Sequence, residues 1–141
     1  MKIWLHHINI NGADAQEMDR FYADVMHQSE IPLDGKSGLP ALDDTSVRVP
    51  VAFRTDGAIQ FHLAEPDPDC AKRHGKTINP LTRGHIAYRT DDIEEFKAHL
   101  TAKGIPFDDY GTVFTKGWHQ VFFLDPAGTI IEVHQVLDES G

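Results

Sequence analysis

The stretch HININGAD at residues 7–14 recurs as HIAYRTDD at residues 85–92, and this repeat decides the predicted fold. In each copy, a strand-like run that starts at a His leads to an Asp that can cap a helix. The first apolar position of the helix face, Met18 or Phe96, follows that Asp at the same spacing in both copies. Strand, cap and helix face recur in the same order, which predicts two related structural units.

Each unit continues into further strands, so that both are predicted to be βαβββ modules. The helices are predicted over 15–26 and 93–103 from apolar residues at helical spacing. A weak strand is expected within the Gly- and Pro-rich segment 27–49. The remaining strands are predicted from alternating or β-branched runs bounded by turn residues, at 51–54, 59–65, 105–110, 118–124 and 129–136.

The two modules are predicted to form a single α+β domain over residues 1–141. Module 1 spans about 1–66 and module 2 spans about 83–137. The linker between them, about 67–82, contains prolines and charges that are typical of a connection. A chain of 141 residues can bury most of the surface that its unfolded form exposes.

The composition excludes several classes of partner. There are 13 Lys and Arg residues against 22 Asp and Glu residues, and the formal net charge of -9 repels nucleic acid and anionic membranes. No apolar run approaches the roughly 20 residues of a membrane-spanning helix. The single cysteine, Cys70, cannot form an internal disulfide. We therefore expect a cytoplasmic protein with a small-molecule substrate and with no nucleic-acid or membrane partner.

The far ends of the two modules also match. The run IQFHLAE at 59–65 aligns with TIIEVHQ at 129–135, which places His62 opposite Glu132. Strand alternation then predicts which way the polar side chains point, because the apolar set of each strand can face the helices. Four side chains are predicted to face the space that the sheet encloses: His7, His62, His85 and Glu132. His6 has the opposite parity, so we expect it to face the helix layer and to be structural.

These four side chains predict a metal site. Imidazoles and a carboxylate are suitable donors for divalent Fe, Ni, Zn, Mn or Co, and their identity alone does not choose among these metals. We predict His7, His85, Glu132 and His62 as the ligands. For His62 there is a second interpretation, in which it lines the cavity or bonds to Glu132 instead. Such a metal can act as a Lewis acid or, if it is iron, can bind oxygen.

Three further residues are predicted to bind substrate. Asn9 shares the face of His7, and His119 is a strand histidine that can line the pocket. Arg89 suits bidentate recognition of an anion, although a salt bridge at the rim is the ordinary alternative. Arg54 has the same two interpretations.

The sequence resembles the vicinal oxygen chelate superfamily, which includes glyoxalases, bleomycin-resistance proteins and extradiol dioxygenases. The similarity spans nearly the whole chain and is carried by HHINI (6–10), FYADVM (21–26), GHIAYRTDD (84–92) and QVFFLDPAGTIIEVHQ (120–135). The resemblance implies paired βαβββ modules that close into a cupped mixed sheet with the helices on its outer face. It also implies a possible homodimer, since many members of the superfamily pair.

The resemblance assigns roles to the same residues. His7 and His85 match the two usual metal histidines, and Glu132 matches the usual metal carboxylate. His62 lies where glyoxalases and epimerases place a fourth ligand, commonly Glu or Gln, so that a His departs from those members. Glu132 or His62 is then the candidate for proton transfer during catalysis.

Three functions follow from the resemblance. The first is a metal-dependent lyase or isomerase of glyoxalase type that acts on a small oxygen-bearing substrate chelated to the metal. The second is an iron-dependent dioxygenase with His7, His85 and Glu132 as the 2-His-1-carboxylate set. The third is a metal-free drug- or metabolite-binding protein that resembles bleomycin-resistance proteins.

Overall fold

The computed structural model describes residues 1–32 and 49–137, within which the chain forms eight strands and three helices. The part of the expected weak strand that falls on 33–48 lies outside the described residues; within 27–32 a two-residue strand is present. The elements are β1 Ile3–Asn11, α1 Ala15–Asp24, β2 Ser29–Glu30, β3 Val51–Thr55, β4 Gln60–Ala64, α2 Cys70–Arg73, β5 His85–Thr90, α3 Ile93–Ala102, β6 Asp108–Gly111, β7 Trp118–Leu124 and β8 Ile130–Val136.

All eight strands belong to one mixed sheet, which confirms the predicted α+β class. Their order is β2-β3-β4-β1-β5-β8-β7-β6. The first strand of each module lies at the centre, where β1 and β5 pair antiparallel. Each of them also pairs parallel with the last strand of its own module, β1 with β4 and β5 with β8. The two halves therefore repeat the same strand order outward from the centre.

The pairing register reproduces the duplication seen in the sequence. In the first half Asn9, two residues after His7, lies beside His62. In the second half Ala87, two residues after His85, lies beside Glu132. Because side chains alternate along a strand, equal registers place equivalent residues on the same face of the sheet.

The main helices start where the sequence predicts and cover one face of the sheet. The carboxylate of Asp14 accepts hydrogen bonds from the backbone N–H groups of Gln16 and Glu17, and that of Asp92 caps α3 by accepting from the N–H of Glu95. The apolar face of α3 packs on β7 and β8 in a cluster of Ile93, Phe96, Leu100, Val121 and Val133. This packing commits one face of the sheet to the core and leaves the opposite face to line a cavity.

The linker contains a short helix that the sequence analysis did not predict. Helix α2 covers only Cys70–Arg73, and Arg73 forms an ion pair with Asp67 at 2.8 Å. The prolines at 66, 68 and 80 favoured the prediction of an irregular connection, whereas tertiary contacts hold one turn of helix between them. In the described part of the chain, no helix is long and apolar enough to cross a membrane.

Candidate metal centre

Three buried donors converge at the centre of the sheet. His7 from β1, His85 from β5 and Glu132 from β8 each offer one ligand atom, and these atoms lie within 4.8 Å of one another. The Oε1 atom of Glu132 is 3.1 Å from His85 Nε2 and 3.6 Å from His7 Nε2. The three residues, called the three-donor cluster below, are 2 to 6% exposed. A buried carboxylate is costly unless a cation or a set of hydrogen bonds compensates its charge.

The orientation of His85 is the clearest sign that this cluster suits a metal ion. Its Nδ1 atom lies 2.9 Å from the carbonyl oxygen of Pro80 and must donate, because a carbonyl oxygen only accepts. The Nε2 atom of the neutral ring therefore carries a lone pair, and it faces the Glu132 carboxylate. Because this nitrogen and the carboxylate oxygen are both acceptors, their contact needs a proton or a metal ion between them. A ring held by a backbone carbonyl through its other nitrogen is the usual arrangement of a metal-binding histidine.

A chain of hydrogen bonds from Arg89 holds the far oxygen of the Glu132 carboxylate. Arg89 Nε donates to His134 Nε2 at 3.0 Å, so His134 must carry its proton on Nδ1. That Nδ1 lies 2.7 Å from Glu132 Oε2 and donates to it. His134 is fully buried and stacks on Trp118 at 4.2 Å between ring centres. The chain fixes Oε2 and leaves Oε1 directed at the two histidines of the cluster.

These surroundings keep Glu132 ionised. Burial opposes ionisation, but nearby His7 and the side-chain contacts with His134, His7 and His85 outweigh it and hold the pKa of the carboxyl well below its usual value. Burial also lowers the pKa of His7 to about 4, against the raising effect of Glu132. At neutral pH the cluster therefore offers a carboxylate and an uncharged His7.

The expectation that His6 faces the helix layer is wrong. The register between β1 and β5 shifts between Leu5 and His7, where a β-bulge adds one residue to β1. The bulge breaks the alternation and places both His6 and His7 on the cavity side of the sheet. His6 contacts Trp118 edge-on at 5.3 Å between ring centres.

A second chain of hydrogen bonds runs from Arg89 through His6 to His7 of the three-donor cluster. Arg89 Nη2 lies 2.9 Å from His6 Nε2, and His6 Nδ1 lies 2.8 Å from His7 Nδ1. Because arginine only donates, His6 accepts at Nε2 and donates from Nδ1 to His7. His7 then carries its own proton on Nε2, and a cation bound at that nitrogen has to displace this proton. Arg89 thus acts behind the cluster and does not line the cavity, although the sequence suggested that it binds substrate.

His62 lines the same cavity but stays outside the three-donor cluster. Its Nε2 atom lies 2.8 Å from the amide oxygen Oε1 of Gln60 and donates to it. The ring stacks on His7 with 3.7 Å between ring centres and 16° between planes, so the two rings lie face to face. Burial and the neighbouring His7 hold the pKa of His62 well below its usual value. The Nδ1 atom therefore keeps a lone pair.

The cluster lies at the wall of a cavity of about 90 Å³. Asn9 lines this cavity, as predicted from its parity with His7, and so does Gln120, which the sequence analysis missed. The rest of the wall is largely apolar and includes Val51, Phe53, Leu63, Leu81, Phe114, Trp118 and Phe122. Gln120 shares its parity with Trp118 and Phe122, and that alternation was the signal that could have found it.

The structure places His119 and Arg54 away from the cavity. His119 Nε2 lies 2.8 Å from Asp109 Oδ1, on the face of the sheet that carries α3. Arg54 Nε lies 2.6 Å from Asp19 Oδ1 of α1, so Arg54 forms a salt bridge, the second of its two interpretations. We therefore leave both residues out of the proposed substrate site.

A model of the Glyoxalase/Bleomycin resistance protein/Dioxygenase superfamily matches residues 4–133 of this chain. The matched range contains the whole three-donor cluster. No functionally curated protein matches the sequence significantly.

Solved structures share this fold at low sequence identity. A hypothetical protein from Bacillus halodurans has a TM-score of 0.70 and 20% identity, and the match covers 100% of this chain and 99% of that one. A methylmalonyl-CoA epimerase from Streptomyces coelicolor has a TM-score of 0.64 and 19% identity over 96% and 98%. A superfamily member from Vibrio splendidus has a TM-score of 0.55 and 13% identity over 95% and 97%. At these identities the matches show a common fold only, so the chemistry of this chain has to be argued from its own residues.

Proposed function

We propose that this chain, which belongs to the Glyoxalase/Bleomycin resistance protein/Dioxygenase superfamily, is a metal-dependent lyase or isomerase of glyoxalase type. Its substrate is a small oxygen-bearing molecule chelated to a divalent ion of Fe, Ni, Zn, Mn or Co. The observation that carries this proposal is the convergence of three buried donors, His7, His85 and Glu132, on one point of the cavity wall. Two imidazoles and one carboxylate leave positions open for a bidentate substrate.

The residues around the donors fit this group. The Glu132 carboxylate is 2% exposed, and its contacts in the described structure are with imidazoles rather than with a Lys or Arg side chain. A bound cation compensates that buried charge directly. When present, the metal supplies Lewis-acid polarisation of the substrate oxygens, which acidifies the adjacent C–H bond.

His62 is the residue we propose to move the proton. It lines the cavity, stacks on His7, and donates through Nε2 to Gln60, so that the lone pair of Nδ1 is free to accept a proton from substrate. Glu132 is the weaker candidate for this role because both of its oxygens are engaged: Oε2 accepts from His134, and Oε1 is directed at His7 and His85. Its carboxylate instead holds the metal, oriented by His134.

A second function is favoured by the position of His62. Because His62 stays outside the cluster, the remaining donors form the 2-His-1-carboxylate set of non-haem iron oxygenases. An iron-dependent dioxygenase of the same superfamily is therefore the alternative proposal. In that case His62 is a cavity acid or base next to the oxygen chemistry.

Metal analysis tests the proposal against a metal-free binding protein. The chain is purified without a His-tag, and bound metal is measured for the wild type and for His85→Ala, with His119→Ala as a matched control outside the cavity. We expect one transition metal per chain in the wild type and the control, and loss of metal in His85→Ala. Absence of metal from wild-type protein that has been offered each of the five ions would favour the bleomycin-resistance-like alternative.

Turnover assays then separate the two enzymes. The metal-loaded protein is offered hemithioacetals, and oxygen consumption is followed with catechols. Product from the first without oxygen uptake supports the lyase or isomerase, and oxygen uptake that requires iron supports the dioxygenase. His62→Gln should retain metal in either case and lose turnover, because it removes the proton acceptor and leaves all three donors of the cluster in place.

We also propose that the protein works in the cytoplasm, alone or as a homodimer. Its one cysteine, Cys70, is buried and unpaired, which suits a reducing compartment. Sedimentation at several concentrations measures the oligomeric state.

A further inference from the structure

Two buried amides in the cavity wall make no hydrogen bond through their oxygens. Asn9 Oδ1 and Gln120 Oε1 are both inaccessible and without a partner in the described structure, and the two side chains are 8% and 5% exposed. Asn9 belongs to β1 of the first module and Gln120 to β7 of the second, so the amides approach the cavity from both halves of the sheet. A buried polar group left unpaired costs about 1–3 kcal/mol. Both side chains line the cavity, so rotation of either terminal amide turns its oxygen towards a ligand, and a hydrogen bond to that ligand recovers the cost.

The remaining wall defines what the ligand must lack. Within residues 1–32 and 49–137, no Lys or Arg lines the cavity, and Glu132 is the only carboxylate that does. Arg89 follows His85 along β5, but its guanidinium is already hydrogen-bonded to His6 and His134 and lies over the ring of Trp118. Among these described residues, a phosphate or a second carboxylate on the ligand would therefore be buried without a cationic partner, at a cost of several kcal/mol.

The volume of the cavity and the charge of the metal-loaded donors further limit which ligands can bind. The cavity, about 90 Å³ in volume, opens to solvent and admits a short chain of atoms beside the donors. A divalent ion with Glu132 and two neutral imidazoles has a net charge of about +1, which one singly charged chelating group neutralises.

We infer that the substrate is a short, otherwise uncharged molecule that presents a singly charged pair of chelating oxygens to the metal and a hydroxyl group to Asn9 and Gln120. A hydroxyl both donates and accepts, so it can bond either end of an amide. This inference rests on the proposed function, because the chelating end needs the metal.

Three hydroxamates of the same chain length test the inference by binding alone. Butanohydroxamate has an apolar tail, 3-hydroxybutanohydroxamate adds one hydroxyl, and succinic monohydroxamate ends in a carboxylate. Their affinities for the full chain loaded with Co(II) are measured by calorimetry and by the change in the visible spectrum of the ion. We expect the hydroxyl to improve affinity about threefold to tenfold over butanohydroxamate. The carboxylate should weaken affinity by at least about tenfold.

Isosteric variants assign the effect to the two amides. Asn9→Leu and Gln120→Met remove the hydrogen bonds with little change of volume, so the advantage of the hydroxyl probe should disappear while butanohydroxamate binds as well as before. Retained binding of butanohydroxamate also shows that each variant is folded and loaded.

Two kinds of result overturn the inference and can be told apart. Equal or tighter binding of succinic monohydroxamate, or a hydroxyl advantage that survives in both variants, refutes the substrate class while leaving the metal site intact. Failure of the wild type to bind Co(II) at all refutes the proposed metal-dependent function and the inference with it.

Discussion

Replacing His134 by Phe is the sharpest test of how the carboxylate of the proposed metal centre is held. His134 is fully buried, donates through Nδ1 to Glu132 Oε2 at 2.7 Å, and accepts from Arg89 at Nε2. Phe keeps a ring of similar shape against Trp118 and removes both hydrogen bonds. The Glu132 carboxylate then loses its fixed orientation while its direct contacts with His7 and His85 remain.

The expected magnitude follows from the bond that is lost. A hydrogen bond to a charged, buried group contributes about 1.5–3 kcal/mol, and about 1.4 kcal/mol corresponds to a factor of ten in a binding constant. Metal affinity should therefore fall by about 10- to 100-fold, which is also the usual effect of removing a residue that orients a metal ligand.

The assay is competition for Zn(II) between the protein and a chromophoric chelator of known affinity. His134→Asn is the first comparison, because its amide N–H can replace the Nδ1 donor, and it should recover part of the loss. His119→Phe is the matched control: His119 is also a strand histidine bonded to a carboxylate, Asp109, but it lies on the opposite face of the sheet. An affinity of His134→Phe indistinguishable from that of the wild type would refute the orienting role, and an equal loss in His119→Phe would show that the effect is not local.

Three other predictions follow from the same structure. Gly84→Ala should destabilise the fold and weaken metal binding, because φ at Gly84 is +82° and an added Cβ would lie 2.6 Å from the Asn9 carbonyl oxygen, next to His85; urea unfolding and Zn(II) titration measure both effects. In the metal-free protein the free energy of unfolding should fall as pH drops from 6.5 towards 4, by about 3 kcal/mol from His7 alone, since the unfolded ring binds a proton that the buried ring, with its pKa lowered to about 4, excludes. Unfolding curves at pH 7 and 4.5 test this, and equal stabilities would contradict it. Zn(II) should move the His7 proton from Nε2 to Nδ1 and break the His6–His7 hydrogen bond, because Arg89 keeps His6 Nε2 an acceptor and both Nδ1 atoms then carry protons; ¹⁵N chemical shifts of the two rings that stay unchanged on loading would exclude it.

The sequence by itself determined the duplicated architecture and the residues of the three-donor cluster. Hydrophobic periodicity and capping are local properties, so the Asp14 and Asp92 caps and most of the strands could be located without the tertiary structure. Alternation along regular strands also predicted correctly that His7, His85 and Glu132 share an enclosed space with His62. The family match, which spans residues 4–133, agrees with the resemblance seen in these stretches.

The residues of β7 illustrate why alternation alone could not identify the cavity side of a strand. This strand is apolar on both faces, with Val121 and Phe123 packed towards α3 and Phe122 in the cavity wall. Hydrophobicity alone therefore did not show which face was the cavity, so His119 was assigned to the pocket and Gln120 was overlooked. Only the packing of α3 on β7 decides the question.

The tertiary structure alone decided how the residues around the cluster are connected. A β-bulge broke the parity that would have sent His6 to the helix layer, and bulges depend on cross-strand pairing that a single strand does not encode. The partners of Arg89 and His62 were likewise set by neighbours on other strands: His134 and His6 for the first, Gln60 and His7 for the second. Residue type and spacing specified which side chains can hold a metal, while the direction of each ring and proton followed from contacts between distant parts of the chain.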